Sequence, residues 1–529
     1  MRRIEEMSAD PSLVTAPSTA SGPPTATEPP AVTGPARRSE MLIVAALATF
    51  AAIRVLVFCA AFPVNNNMDE GSHFDVAIFY SRGVVPRALG PHAKELRRWT
   101  DNWSPEFLVT PDVYLQPQQI VRPSLEAQIK ANLELAKIEH NHEMLEPPLY
   151  YSLAGAWLAL GELIRVPDAD MFYWVRFLNA LVLPATVWLG YVVARDLFPG
   201  SPFLKIGTPA LLAIIPQDVL YGINDDVLSP LSFGLVCLGL VRWMNPKRPA
   251  IKAAALTGLG VAATGLTKMT NLPLIAVTLV AVAWIVLRKP QTSSEVSSPG
   301  VLRRPMAAAL TFVVCVSPLP AWLFWNKLTL GNFTGSAAKL AELGFSQKPF
   351  AQWFSHPLFS LSGVKDFWFE LSASYWRGEI TWYRKPIANY FVDCVYACGT
   401  LLLLATATIG LWRTRDTRQR AFLIFGLAAF WASVAFLALS SVAIDFGKMG
   451  TASPLFSFPG FVCGRLMCGT LVPFAIVASY AISLLAPRRH AMAWSVGILG
   501  ALGVMIATSE IWLHTLVFQS GWNLFHTGW

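Results

Sequence analysis

The chain has 529 residues, 54% of them hydrophobic and only 14% charged, against roughly a quarter charged in an average soluble domain. That composition excludes a water-soluble globular protein. Apolar runs of about 20 residues recur without strand-like alternation, so the sequence predicts an all-α polytopic membrane protein and not a β-barrel. The formal charge of +8 is assigned to loop asymmetry about a bilayer, and nucleic acid is excluded as a partner.

In chain order, residues 1–40 are rich in Pro, Thr, Ser and Ala, carry almost no large apolar side chains, and predict a disordered cytoplasmic tail. An apolar run from Met41 to Phe62 opens a membrane domain over residues 41–512, which leaves 513–529 as a C-terminal tail. Candidate spans fall at 41–62, 147–164, 172–194, 206–223, 227–243, 252–270, 272–287, 306–325, 389–412, 421–443, 464–486 and 491–512. About 11–13 membrane helices are expected. The seven cysteines form no C-x-x-C pattern and read as small core residues.

Basic clusters at Arg242/Lys247/Arg248/Lys252, Arg288/Lys289/Arg303/Arg304, Arg413/Arg415/Arg418/Arg420 and Arg488/Arg489 recur after every second span. Lys and Arg collect on the cytoplasmic side, so those loops, and the N-terminus with Arg37 and Arg38, are placed there. The loop 63–146, with twelve Asp/Glu against eight Lys/Arg, is then exterior, as is the aromatic-rich loop 326–388. Within the first, Leu125–Glu146 predicts an amphipathic helix along the membrane surface. The same orientation puts Asn224-Asp225-Asp226 outside, yet three apolar segments separate it from the first exterior loop. An odd number of crossings cannot return to one side, so 147–164, short and opened by Pro147-Pro148, is expected to be re-entrant or interfacial.

Ionisable groups within membrane spans cost roughly 2.5–3.5 kcal/mol each on insertion scales and need a partner or a job. Here Arg54, Arg176, Asp218, Lys268 and Arg465 all fall at the exterior ends of their spans, level with Asp69, Glu70, Asp225 and Asp226. The sequence therefore predicts a polar cavity open to the exterior. Its carboxylates can act as a base and its guanidinium and ammonium groups can neutralise phosphate, a pairing suited to transfer from a phosphate-activated donor to a hydroxyl. His73 follows Asp69 by four residues and shares its helix face, where it can orient a carboxylate or bind donor phosphate. His140 and His142 face one way only on a strand, whereas their segment reads as a helix, so no metal site is assigned to them. Paired acids can bind a divalent cation, but no ligand set is closed by the sequence and no other cofactor is expected.

A first span followed by Asp69-Glu70-x-x-His73-Phe74, then Pro147-Pro148-Leu149-Tyr150-Tyr151, Arg176-Phe177-Leu178-Asn179-Ala180, Asn224-Asp225-Asp226 and Gly464-Arg465, resembles the GT-C superfamily of polytopic membrane glycosyltransferases. The likeness is nearest to bacterial membrane proteins with an Asp-Glu-x-x-His-Phe signature and more distant to protein O-mannosyltransferases and aminoarabinose transferases. Glu146 stands where a His or Gln usually precedes the Pro-Pro pair. The resemblance implies a GT-C-like fold, a catalytic carboxylate at Asp69 or Glu70, a second acidic position at Asp225 or Asp226, and a polyprenyl-phosphate sugar as donor.

The function expected from this reading is inverting transfer of a sugar to a glycan or lipid acceptor hydroxyl of the envelope, on the exterior face of the inner (plasma) membrane. Asp69 or Glu70 would be the base, and Arg465 and Lys268, with Arg54 or Arg176, would hold the departing phosphate. The alternative is a transporter or flippase for a lipid-linked or anionic substrate, in which the same charges line a path. Against it, the spans show no repeat, and the charges gather at one side instead of at the midplane.

Overall fold

The computed structural model describes residues 34–67, 69–93, 140–288, 303–382, 385–447 and 458–526. They form an all-α polytopic membrane protein. Its helices are α1 (Gly34–Ala61), α2 (Glu70–Ser81), α3 (Pro148–Leu163), α4 (Met171–Arg176), α5 (Asn179–Leu197), α6 (Pro202–Ile214), α7 (Ser229–Trp243), α8 (Ala250–Thr267) and α9 (Leu272–Leu287). They continue as α10 (Arg303–Val316), α11 (Pro318–Leu330), α12 (Ser336–Glu342), α13 (Leu361–Arg377), α14 (Tyr390–Gly410), α15 (Thr417–Ala443), α16 (Leu471–Leu485), α17 (Ala491–Leu513) and α18 (Thr515–Gln519). Two antiparallel ribbons complete the described residues, β1 (Ser346–Gln347) with β4 (Ile444–Asp445) and β2 (Thr381–Trp382) with β3 (Lys385–Pro386).

Proline sets several helix starts: Pro148, Pro202, Pro230, Pro273 and Pro318 lie in first turns, where the missing N–H has no intrahelical partner to lose. Large apolar side chains such as Leu42, Val280, Leu287 and Val504 stay exposed, the outward faces of helices that meet lipid and not water. Between α7 and α8 the backbones approach closely, because a Cβ at Gly239 would lie 2.4 Å from Thr257 Oγ1. Small residues at such a contact let dispersion replace the hydrophobic drive that lipid does not provide.

Among the described residues nine helices are long and apolar enough to cross a membrane. A pair bent by 40°, Pro305–Val316 with Pro318–Leu330, counts as a tenth if it forms one span, and Pro202–Ile214 is a shorter apolar helix. The expected span 206–223 is thus corrected: its helix stops at Ile214, because Pro216 disfavours helical backbone at Ile215, and the chain runs on through a short 3-10 turn at Asp218–Tyr221.

Contacts also bring two points of the early chain back to α2. Tyr151 at the start of α3 meets His73 at 2.7 Å, and by Arg176 the chain is back at Glu70, 2.6 Å away. Tyr151 and Arg176 therefore lie at one end of the bundle, both against α2. Beyond them α5, about 28 Å long, leads away from Asp69 and α6 leads back.

Both expected tails are shortened. Helix α1 already begins at Gly34, ahead of the boundary expected at residue 41. Near the C-terminus, Leu524 N–H donates to Ala60 O at 3.0 Å, and Phe518 packs edge-on against Phe58, so 515–526 dock on the end of α1. Residues 1–33, most of the loop expected to be exterior (94–139) and 527–529 lie outside the described residues.

Candidate active site

The chain leaves α1 through Asn65-Asn66-Asn67 and starts α2 with Asp69 as N-cap, in left-handed conformation at φ 58°. Successive helical residues point about 100° apart, so Asp69 and Glu70 diverge. Glu70 turns inward and is buried. Its two oxygens accept from Arg176 Nε at 2.6 Å and Nη2 at 2.7 Å, and Oε1 also accepts from Ile223 N–H at 2.8 Å. Arg176 donates its remaining hydrogens to the carbonyls of Cys59 (3.0 Å), Phe62 and Pro63 (2.7 Å). All five guanidinium donors are thus used within the protein. Glu70 and Arg176 are a sealed staple beneath the site, joining the ends of α1 and α4 to the chain at Ile223.

Asp69 keeps its side chain 28% exposed. Arg465 Nη2 donates to its Oδ2 at 2.8 Å, while His142 Nε2 stands 3.9 Å from Oδ1 and 3.2 Å from Glu143 Oε1. Lys339, on α12, donates to Glu143 at 2.7 Å and Glu146 at 2.6 Å. Burial would push the Asp69 carboxyl up, but Arg465 and His142 outweigh it and hold the group below its ordinary value. Burial would likewise lower His142, yet Glu143 and Asp69 raise it.

Asp69, His142 and Glu143 offer ligand atoms within 4.8 Å of one another, the one such group among the described residues. Two carboxylates and an imidazole are a donor set that suits a first-row divalent ion. The sequence reading passed over His142 because it took 125–146 for a helix. Residues 140–146 are in fact a turn, and the remainder lies outside the described residues.

That turn is held by Asp75, buried on α2, which accepts from Ala93 N–H at 2.7 Å and Asn141 Nδ2 at 2.8 Å, with His92 Nδ1 at 3.1 Å. Asn141 N–H donates to Gly90 O at 2.9 Å, and Pro91 bridges His140. The two ends of the undescribed stretch thereby meet in a neck that presents His142 and Glu143 to Asp69.

Across the site, Asn224 folds its side chain back to accept from Asp226 N–H at 2.9 Å, which turns both aspartates toward Lys268. The Lys268 ammonium donates to Asp225 and Asp226, each at 2.7 Å. His73 is buried and not superficial: Asn224 Nδ2 donates to its Nε2 at 3.0 Å, which leaves the proton on Nδ1 for the Tyr151 hydroxyl at 2.7 Å. Burial lowers His73 to about 3, so it is a neutral brace and its nitrogens are occupied.

A residue not singled out in the sequence completes the group. Glu379, just after α13, is 2% exposed and lies 3.5 Å from Arg465 Nε; burial pushes its carboxyl up, with Arg465 offsetting part of the effect. Asp218 positions it, accepting from the N–H groups of Glu379 and Ile380, the latter at 2.6 Å. Gly378 permits that approach, at φ 87° and with space for a Cβ only 1.9 Å from Asp218 Cγ. Gly464 similarly lets the strand before Arg465 touch α13, where a Cβ would lie 2.0 Å from Tyr375 N.

The structure thus brings together Asp69, Arg465, Asp225, Asp226, Lys268 and His73, with Glu70 and Arg176 directly below. Arg54 does not join them. It donates to Glu510 at 3.1 Å and to Ile215 O at 2.7 Å, and Tyr221 O–H donates to the same carboxylate. An open groove of about 580 Å³ lies alongside, walled by Val85, Pro148, Leu266, Trp322 and Trp325 with Arg87. Pro148 and Leu266 are each two residues from charged members of the site, Glu146 and Lys268.

No family model and no curated protein matches the chain. Among solved structures it is similar to the Archaeoglobus fulgidus oligosaccharyltransferase in complex with zinc and sulfate, at 15% identity and a TM-score of 0.31, over 71% of this chain and 44% of that one. The apo form of the same enzyme aligns at 10% identity and a TM-score of 0.36, over 88% and 55%. The chain spans about half the length of these structures, and both scores fall below the level at which a common fold follows.

Proposed function

We propose that the chain is a GT-C-type membrane glycosyltransferase that moves a sugar from a polyprenyl-phosphate donor to an envelope acceptor hydroxyl, with inversion. The observation that carries this reading is Asp69, a half-exposed carboxylate paired with Arg465 at one end of a membrane bundle, beside an open apolar groove of about 580 Å³. The groove suits an isoprenoid chain, and Pro148 and Leu266 in its wall are two residues from Glu146 and Lys268 along the chain.

In this mechanism Asp69 takes the acceptor proton as the hydroxyl oxygen bonds to the anomeric carbon and the bond from that carbon to the lipid phosphate breaks. A carboxylate held below its ordinary value is a weak base, so proton transfer comes late, once attack has acidified the hydroxyl. Arg465 and Lys268 face the departing phosphate. Carboxylates outnumber cations here, since Asp69, Glu379, Asp225, Asp226, Glu143 and Glu146 share Arg465, Lys268 and Lys339. Asp69, His142 and Glu143 would hold a divalent ion, which would supply further positive charge at the site.

The test is Asp69→Asn in proteoliposomes supplied with a polyprenyl-phosphate sugar. Loss of a positioned base lowers transfer by about 10²–10⁴-fold while insertion and thermal stability stay normal. Undiminished transfer in that variant overturns the assignment, and substrate translocation that survives it favours a transporter.

A further inference from the structure

At the end of the bundle opposite Asp69, α5, α7 and α15 meet around a cavity of about 240 Å³. Its wall carries four arginines, Arg195, Arg242, Arg248 and Arg418, and a single carboxylate, Asp196. Arg242 Nε lies 3.0 Å from Asp196, Arg195 Nη2 3.3 Å and Arg248 Nη2 3.9 Å. Three guanidiniums thus share one largely buried carboxylate, and the fourth faces the same space. The concavity retains a large positive excess, which an entering anion relieves.

A loop bias in Lys and Arg explains basic residues near a membrane end, but not the convergence on one hollow of three from separate helices and a fourth, Arg248, from the loop after α7. The hollow is also built. Gln419 Nε2 donates to Leu197 O at 3.2 Å, pinning the start of α15 to the end of α5, and Asp416 caps α15 through Arg418 N–H at 2.8 Å. Capping occupies backbone donors, so anion recognition falls to the guanidiniums, whose planar forks match phosphate oxygens.

We propose that this cavity binds the phosphate of an anionic phospholipid in the adjoining leaflet. It lies where α5 and α7 terminate, at Leu197 and Trp243, the depth at which headgroups stand. Val241 and Pro199 give it an apolar side for the glycerol end of the lipid. Basic pockets between membrane helices bind anionic headgroups in this manner.

The full-length protein, in detergent micelles doped with phosphatidylglycerol or phosphatidylcholine, is examined by native mass spectrometry. Wild type is expected to retain phosphatidylglycerol in preference to phosphatidylcholine. Each arginine near a membrane surface contributes about fivefold to such binding, so combined Arg248→Gln and Arg418→Gln lowers retention about 25-fold. Asp196→Asn removes the competing carboxylate and raises it about fivefold. If Asp196 and the arginines were only a structural latch, Asp196→Asn would lower the melting temperature with no gain in lipid, which overturns the proposal. So would equal retention of the two lipids, or displacement of phosphatidylglycerol by excess inorganic phosphate, the mark of a soluble phosphate site.

Discussion

Replacing Glu70 by Gln separates a carboxylate that holds the fold from one that does chemistry. Both Glu70 oxygens are engaged by Arg176, and neither side chain is exposed. Gln keeps one acceptor but sets an amide N–H₂ against the guanidinium and leaves a buried cation without a counterion. Breaking a buried pair in this way costs about 3–5 kcal/mol. Arg176→Met would cost about the same, plus about 1 kcal/mol for each of the carbonyls of Cys59, Phe62 and Pro63 that loses its donor. Once the cation is gone the carboxylate matters less, so the double variant should recover about 2–3 kcal/mol of the summed losses. Unfolding midpoints in a denaturing-detergent titration, followed by tryptophan fluorescence, give all three values. A Glu70→Gln protein within about 0.5 kcal/mol of wild type that has nonetheless lost transfer activity would refute this reasoning and return Glu70 to the list of candidate bases.

The remaining predictions concern His73 and the Asp69 group. Burial holds His73 at about 3 in the folded chain against 6.5 when free, so the unfolded chain binds the extra proton between those values. Its stabilising contribution is complete above about pH 6.5 and declines as pH falls toward 3, by at most about 1.4 kcal/mol per pH unit; His73→Gln should flatten that part of the stability profile measured from pH 4 to 8, and an unaltered slope would count against the neutral brace. For the metal, elemental analysis of the purified protein should find about one divalent ion per chain that is lost on combined His142→Ala and Glu143→Gln. Equal metal content in variant and wild type would remove those residues as ligands.

The helical architecture was legible because each pass through lipid must carry its own apolar run, and basic loops mark alternate ends. The same logic brought Asp69, Asp225, Asp226, Lys268 and Arg465 to one level, where the structure joins them. It failed for Arg54, whose partner Glu510 is separated by 456 residues, because hydropathy locates a charge in depth but not around the bundle. Glu379 was missed for a related reason: it lies in a loop where acids are common, and only its burial against Arg465 sets it apart. His142 was hidden because its segment reads as a helix through residue 146, whereas 140–146 form a turn, and a turn held by the buried side chain of Asp75 leaves no local signature.

Asp75 carries a wider consequence. By gripping both Ala93 and Asn141 it closes the chain on itself before the intervening segment has any say in the geometry. Closure entropy grows only with the logarithm of length, about 0.6 kcal/mol per doubling. Segments of different size and composition could therefore be exchanged between these two anchors while Asp69, His142 and Glu143 stay in register. In that sense the two anchors, and not the length of chain between them, set the register of Asp69, His142 and Glu143.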